Sequence, residues 1–129
     1  AVRGDGVSRY YAPIEFPGIA DLTLVKHLSA RLDYNKIKYR YGISFGTDAL
    51  YREEKHLIEL IRDLDVALID LESSAFLTVG RSLGLKCCWI GVVSDRLVNS
   101  KHEGNIHSEH IEEKLTQLGK CIIQTIEET

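Results

Sequence analysis

A short apolar run closed by acidic residues lies in the middle of the chain: Val66-Ala67-Leu68-Ile69-Asp70-Leu71-Glu72. Continuous apolar runs of this length are typical of strands that are buried on both faces of a parallel sheet. A second such run covers residues 87–93, and residues 73–83 between the two runs predict a helix that ends before Gly84. Strands that alternate with helices in this way predict an α/β fold with a mainly parallel sheet.

The remaining segments continue the alternation. Three of them repeat apolar residues at helical spacing: residues 22–32, 53–64 and 108–126. Residues 37–45 are rich in β-branched and aromatic side chains and predict a further strand. Residues 1–21 are broken by Gly and Pro, residues 96–107 are polar, and both segments predict loops. We therefore expect a three-layer α/β sandwich with a mainly parallel, mixed sheet.

Composition and charge are those of an ordinary globular domain. The chain has 129 residues, 44% of them hydrophobic and 27% charged, and a formal net charge of −3. Because the Lys and Arg residues are scattered, nucleic acid is not an expected partner, since phosphate backbones are bound by clustered positive charge. No stretch reaches the roughly 18 apolar residues that a membrane-spanning helix requires, so no membrane contact is expected.

Three cysteines, Cys87, Cys88 and Cys121, include no Cys-x-x-Cys pair. An odd number of thiols inside apolar segments predicts buried, reduced cysteines rather than disulfides or metal ligands. Together with the lack of an apolar leader, this predicts a cytoplasmic protein. The chain begins at Ala1 and contains no Met, from which we expect a piece of a longer or processed protein.

Acidic residues follow each of the strands that the sequence predicts. These strand ends are Thr47-Asp48, Asp70-Leu71-Glu72 and Ser94-Asp95. Ligands of open α/β sheets bind at the carboxyl ends of the strands. Any one of these acidic residues could instead cap the following helix or loop. Three at consecutive strand ends favour a polar ligand with several hydroxyls, such as a sugar.

Four segments resemble, in order and spacing, the second half of the uridine/purine nucleoside phosphorylase family: residues 12–21, 42–51, 69–75 and 91–95. The first is similar to the segment that opens that half, and the second to the strand and turn that end in Ser-Ser-Asp-x-Phe-Tyr. The third is similar to the family's Met-Glu-Ser-Ala stretch, and the fourth to the Val-Ser-Asp strand end of its purine branch. The resemblance implies one partial domain over residues 1–129, with the phosphorylase/hydrolase-like fold.

The resemblance also implies a ribose site. Glu72 would bind the ribose hydroxyls, because a carboxylate accepts two strong hydrogen bonds. Leu71 stands where the family has a Met that packs on the ribose. Asp70 stands where uridine enzymes often place a Glu.

On the base side, the resemblance makes Asp95 the general acid that protonates N7 of a departing purine, a task that calls for a raised pKa. Leu50 replaces an aromatic residue that stacks on the base. Further base contacts fall on four residues: Val93, Ser94, Glu54 and His56. Glu54 and His56 stand where uridine enzymes use Gln and Arg. The opening segment favours uridine and Ser94-Asp95 favours a purine, so the base stays open.

The implied reaction is reversible phosphorolysis of the N-glycosidic bond by a pentosyltransferase, with phosphate as co-substrate and no cofactor. The family holds phosphate in its first half, and Gly4-Asp5-Gly6 is too short for an anion site of that kind. We therefore expect the isolated chain to be inactive and the protein to form a homo-oligomer, from dimer to hexamer. A non-catalytic nucleoside-binding or structural module and a nucleoside hydrolase are the alternatives.

Histidines cluster near the C-terminal helix: His102, His107 and His110. A metal site is one interpretation of them. A solvated polar loop is the one we adopt, because no Cys or carboxylate stands at ligand spacing. No metal is expected.

Overall fold

The computed structural model describes residues 1–49, 54–98, 101–104 and 108–128. The strands in this part of the chain are β1 (Val2–Gly4), β2 (Ile43–Thr47), β3 (Val66–Asp70), β4 (Asp95–Val98) and β5 (Lys101–Gly104). The helices are α1 (Leu22–Tyr34), α2 (Lys55–Asp63), α3 (Ser73–Ser82) and α4 (Glu109–Glu127), with a short 3-10 helix at Val7–Tyr10. The chain divides into two compact units, Ala1–Asp21 with Tyr41–Trp89, and Leu22–Arg40 with Ile90–Thr129.

A parallel sheet with the strand order β1-β2-β3 forms the centre of the first unit. Phe45 of β2 pairs with Val2 on one side and with Ile69 on the other. The predicted α/β class with a parallel sheet is confirmed, and so are the strand at residues 66–69 and the helix that follows it. The prediction of a loop throughout residues 1–21 is wrong at β1, because three residues are too few to carry a period-2 pattern.

A buried arginine organises the segment that follows β1. The Arg3 guanidinium donates to the backbone oxygens of Ser8 (2.7 Å), Ala12 (2.8 Å) and Phe16 (2.8 Å), and also to that of Pro13. Its Nε donates to Ser8 Oγ at 2.9 Å. Buried polar groups need such partners, and here one side chain satisfies several carbonyls that no strand or helix could pair.

Asp5 joins this arginine centre to helix α3. The side chain is buried, and it accepts hydrogen bonds from Ser8 N (2.7 Å), from Ser8 Oγ (2.9 Å) and from Ser74 Oγ. Burial by itself raises the pKa of Asp5, but the hydrogen bonds from Ser74 and Ser8 outweigh it and hold the pKa below its usual value. The carboxylate therefore stays charged inside the fold.

Helix α3 begins in direct contact with strand β2. Ser44 Oγ and Ser73 Oγ, both buried, lie 2.8 Å apart. A Cβ added to Gly46 would lie 2.1 Å from Ser74 Oγ and 2.6 Å from Ser74 Cβ. The absence of a side chain at Gly46 thus lets the first turn of α3 pack on the strand.

The second unit contains helices α1 and α4, which pack together, and the antiparallel hairpin β4–β5. Ser108 caps α4 as predicted, with Ile111 N donating to its Oγ at 3.4 Å. The strand predicted at residues 87–93 is wrong, since residues 85–94 form no regular element, and the predicted loop at 96–107 contains the hairpin. Apolar composition predicts burial, and residues 87–90 are half-buried, but a strand also needs a ladder partner.

Among the helices that the structure describes, none combines the length and the apolar character needed to cross a membrane.

Substitution of Gly46 by Ala tests the contact between β2 and α3. We expect Gly46→Ala to lower the free energy of unfolding by about 1–3 kcal/mol, because the new methyl group overlaps Ser74. Urea unfolding followed by circular dichroism measures the change. Gly119→Ala is the matched control: nothing lies within 4 Å of the added Cβ, and Ala in a helix gains up to about 1 kcal/mol over Gly. Equal stability of the two variants would contradict the packing described.

The charge of Asp5 makes stability depend on pH. Because its pKa is lower in the folded than in the unfolded chain, where it is about 3.9, the unfolded chain binds more protons. The free energy of unfolding should therefore fall as the pH drops from about 5 through the folded-state pKa. Ser74→Ala, which removes one donor, should reduce this slope, while Asp63→Asn at the exposed end of α2 should leave it unchanged. Urea titrations between pH 3 and 7 decide between these outcomes.

Candidate functional site

Four carboxylates gather at one edge of the sheet in the first unit. Since β1, β2 and β3 are parallel, their carboxyl ends lie at the same edge. That edge carries Asp5 after β1, Asp48 after β2, and Asp70 and Glu72 at the end of β3. The predicted convergence of acidic strand ends is thus observed for β2 and β3, and Asp5 joins them from a strand that the sequence did not predict.

Three of the four carboxylates hold the fold together. Asp5 is buried among Ser8 and Ser74, as described above. Asp48 Oδ2 accepts from Gly6 N at 2.8 Å and links the ends of β1 and β2. Asp70 Oδ1 accepts from Glu72 N at 2.8 Å and from Ser73 N at 2.5 Å, which caps the start of α3. The helix-capping interpretation therefore applies to Asp70.

The second oxygen of Asp70 differs from the first. Asp70 Oδ2 is buried and has no hydrogen-bond partner among the described residues. A buried acceptor without a partner costs free energy, so this oxygen retains capacity to accept one more donor.

Of the four carboxylates at this edge, Glu72 is the one that is exposed and has no hydrogen-bonding role in the described part of the fold. It occupies the position before α3, its side chain makes no capping hydrogen bond, and it is exposed. Leu71 beside it is 46% exposed. An exposed carboxylate next to an exposed apolar side chain can accept hydrogen bonds from two hydroxyls and pack against a ring at the same time.

The base contacts predicted in the first unit lie on or near α2. Glu54 precedes the helix with an extended backbone, His56 lies in its first turn, and both are exposed. Helix α2 packs against β3. Leu50 lies outside the described residues.

Asp95 in the second unit is held from two sides. Ser94 Oγ donates to Asp95 Oδ1 at 2.6 Å, and His102 Nδ1 pairs with Asp95 Oδ2. The hydrogen bonds from Ser94 and then from His102 hold the pKa of Asp95 below its ordinary value, against a smaller opposing effect of burial. The pKa of Asp95 is thus shifted downward, whereas a general acid calls for an upward shift. The expected position at a strand end is wrong, because Asp95 begins β4. Val93 is exposed.

Sequence reasoning missed the contact between His102 and Asp95. It treated the histidines as a group and the segment as a loop, so no pairing with an acidic residue was expected. The available signal was the spacing of seven residues between an acidic residue and a histidine. Across the described ranges, no three His, Cys, Asp and Glu side chains come together in a way that could hold a metal ion. His107 lies outside those ranges.

A shallow cavity of about 380 Å³ lies on α1 and α4 within the second unit. Its lining residues are His27, Ala30, Arg31, Tyr34, Thr125 and Glu128. Arg31 pairs with Glu128 and lies 5.6 Å from the centre of the Tyr34 ring. The residues predicted for the ribose and the base do not line this cavity.

Comparison with known proteins finds nucleoside phosphorylases among the relatives of this chain. A uridine phosphorylase from Thermococcus kodakarensis is 26% identical over 113 residues, covering 77% of this chain and 41% of the relative. A guanosine phosphorylase from Halorubrum lacusprofundi is 24% identical over 114 residues, covering 88% of this chain and 47% of the relative. The chain thus spans less than half the length of these relatives.

The fold is similar to that of a solved structure. The crystal structure of an AMP nucleosidase from Bacteroides thetaiotaomicron VPI-5482 superposes with a TM-score of 0.77 at 21% identity, covering 98% of this chain and 52% of that chain. At this identity the likeness shows the fold alone. The family profile described as the phosphorylase superfamily matches residues 1–128. This chain, with its parallel sheet and acidic carboxyl edge, therefore belongs to the phosphorylase superfamily.

Proposed function

We propose that this chain acts in the reversible phosphorolysis of the N-glycosidic bond of a ribonucleoside. In this proposal it provides the ribose and base side of the site, and residues outside the chain bind phosphate. The reaction makes it a pentosyltransferase, with phosphate as co-substrate. We also propose a homo-oligomer, from dimer to hexamer, in the cytoplasm.

The position of Glu72 is the observation that carries the proposal. The other acidic residues at the sheet edge form hydrogen bonds within the fold. Asp5 accepts from Ser74, and Asp48 accepts from Gly6 N. Asp70 caps the start of α3. Glu72 alone among them combines exposure with a carboxylate that has no partner in the described residues. Two adjacent ribose hydroxyls are donors that a free carboxylate accepts well. Leu71 supplies the apolar contact for the sugar ring.

The base side of the proposed site is assigned to Ser94, Asp95 and Val93, with Glu54, His56 and Leu50 as further contacts. The named relatives include a uridine phosphorylase and a guanosine phosphorylase, which supports a ribonucleoside as the substrate class and leaves the base undecided. Asp95 as an ionised group fits the binding of a base N–H better than proton donation.

The first test is whether the isolated chain cleaves nucleosides, with and without phosphate. We expect the isolated 129-residue chain to bind nucleosides but to release no base from uridine, inosine or guanosine, with or without phosphate, because the phosphate side of the site is missing. Chromatographic detection of free base over several hours measures this.

Each other outcome of that assay has a clear meaning. Appreciable phosphate-dependent release would refute the division of the site between this chain and other residues. Release without phosphate would identify a hydrolase. Binding in the absence of any cleavage, even when the remaining part of the protein is supplied, would identify a binding module.

Replacement of Glu72 tests the ribose contact. Glu72→Gln should weaken nucleoside binding by roughly 10- to 100-fold, the loss expected when charge-assisted hydrogen bonds become neutral ones. Isothermal titration or thermal shift with uridine and guanosine measures the affinity. Glu113→Gln, the same chemical change on the exposed face of α4, is the matched control and should bind like the unmodified chain.

A sugar analogue makes the test specific for ribose. The unmodified chain should bind the 2′-deoxynucleoside less tightly than the ribonucleoside, and Glu72→Gln should reduce this difference. If both proteins show the same preference between the two sugars, Glu72 does not contact the ribose hydroxyls.

A further inference from the structure

Asp95 and His102 face each other across the hairpin of the second unit. Asp95 pairs with Gly104 and Leu97 pairs with His102, so Asp95 and His102 are diagonal neighbours on one face of the ribbon. The other charged residues of the hairpin, Arg96, Lys101 and Glu103, alternate to the opposite face. Within the described hairpin, the carboxylate and the imidazole are thus the ionisable groups of their face.

Gly104 permits this close arrangement. It lies opposite Asp95 with a φ of +143°, and a Cβ added there would lie 2.9 Å from Asp95 Cα and 2.9 Å from Ser94 O. Any side chain at this position would push β5 away from Ser94-Asp95. The glycine therefore holds the strand that carries His102 against the residue that His102 binds.

The two donors on Asp95 act on different oxygens. Ser94 Oγ donates to Oδ1, and His102 Nδ1 contacts Oδ2. Because each oxygen has a partner, the orientation of the carboxylate group is fixed. A carboxylate has about four lone-pair positions, of which two are then used. The Asp95 side chain is 24% exposed, so part of it is open to solvent.

We propose that His102 is a positioning residue for the base: it fixes the Asp95 carboxylate as an oriented hydrogen-bond acceptor for an N–H group of the nucleoside base. This rests on the proposed function, because it takes Asp95 to contact the base. It differs from proton donation by Asp95, for which the carboxyl group would have to be protonated. The lowered pKa of Asp95 agrees with the acceptor role.

The affinity for nucleoside as a function of pH tests the proposal. Affinity should fall at low pH as Asp95 takes up a proton and stops accepting. His102→Gln removes a partner that lowers the pKa of Asp95, so the low-pH decline should begin at higher pH, and affinity at pH 7 should fall roughly fivefold. His110→Gln, another exposed histidine of the same unit, is the control and should change neither.

A second measurement separates the pairing from binding. The ¹³Cγ shift of Asp95 reports its titration in the chain without ligand, and His102→Gln should raise that pKa. An affinity profile that is unshifted in His102→Gln, with nucleoside still bound, overturns the role of His102 but not the proposed function. If the unmodified chain binds no nucleoside at any concentration, the proposed function and the base-positioning role both fall.

Discussion

The hydrogen bonds that surround the buried carboxylate of Asp5 are the constraint on which the first unit depends. A buried charge is tolerated only when it is fully hydrogen-bonded, and Asp5 meets this condition through Ser8 and Ser74. Ser74 belongs to the first turn of α3, so the end of β1 is tied to the helix that begins after β3. The position of that turn in turn fixes Glu72, the residue directly before it.

Arg3 extends the same constraint to the loop that follows β1. Its nitrogens bind carbonyls of residues 8, 12, 13 and 16 and also the hydroxyl of Ser8, which itself donates to Asp5. Arginine and aspartate therefore act through a shared serine rather than as a direct ion pair. Of the two exposed carboxylates at this sheet edge, Asp48 is bound to Gly6 N and Glu72 is not used by the described part of the fold.

The carboxylates at strand ends illustrate how far residue type alone can assign roles. Asp48, Asp70 and Glu72 look equivalent in the sequence, since each lies at the end of a predicted strand. Their tasks differ because their neighbours differ: Asp70 Oδ1 meets two free backbone N–H groups at the start of a helix, whereas the longer side chain of Glu72 extends into solvent. For Asp95 the environment lowers the pKa that the general-acid prediction expected to be raised, because Ser94 and His102 stabilise its ionised form.

Sequence by itself determined the α/β class, the strand at residues 66–69, the helices and the Ser108 cap, since these follow from local periodicity and capping chemistry. It also determined the family, through motifs that lie along nearly the whole chain. Only the tertiary structure decided that β1 joins the sheet, that residues 85–94 form no strand, and that His102 binds Asp95. These features depend on partners distant in the sequence, and neither hydropathy nor propensity records which strand or side chain a residue will meet.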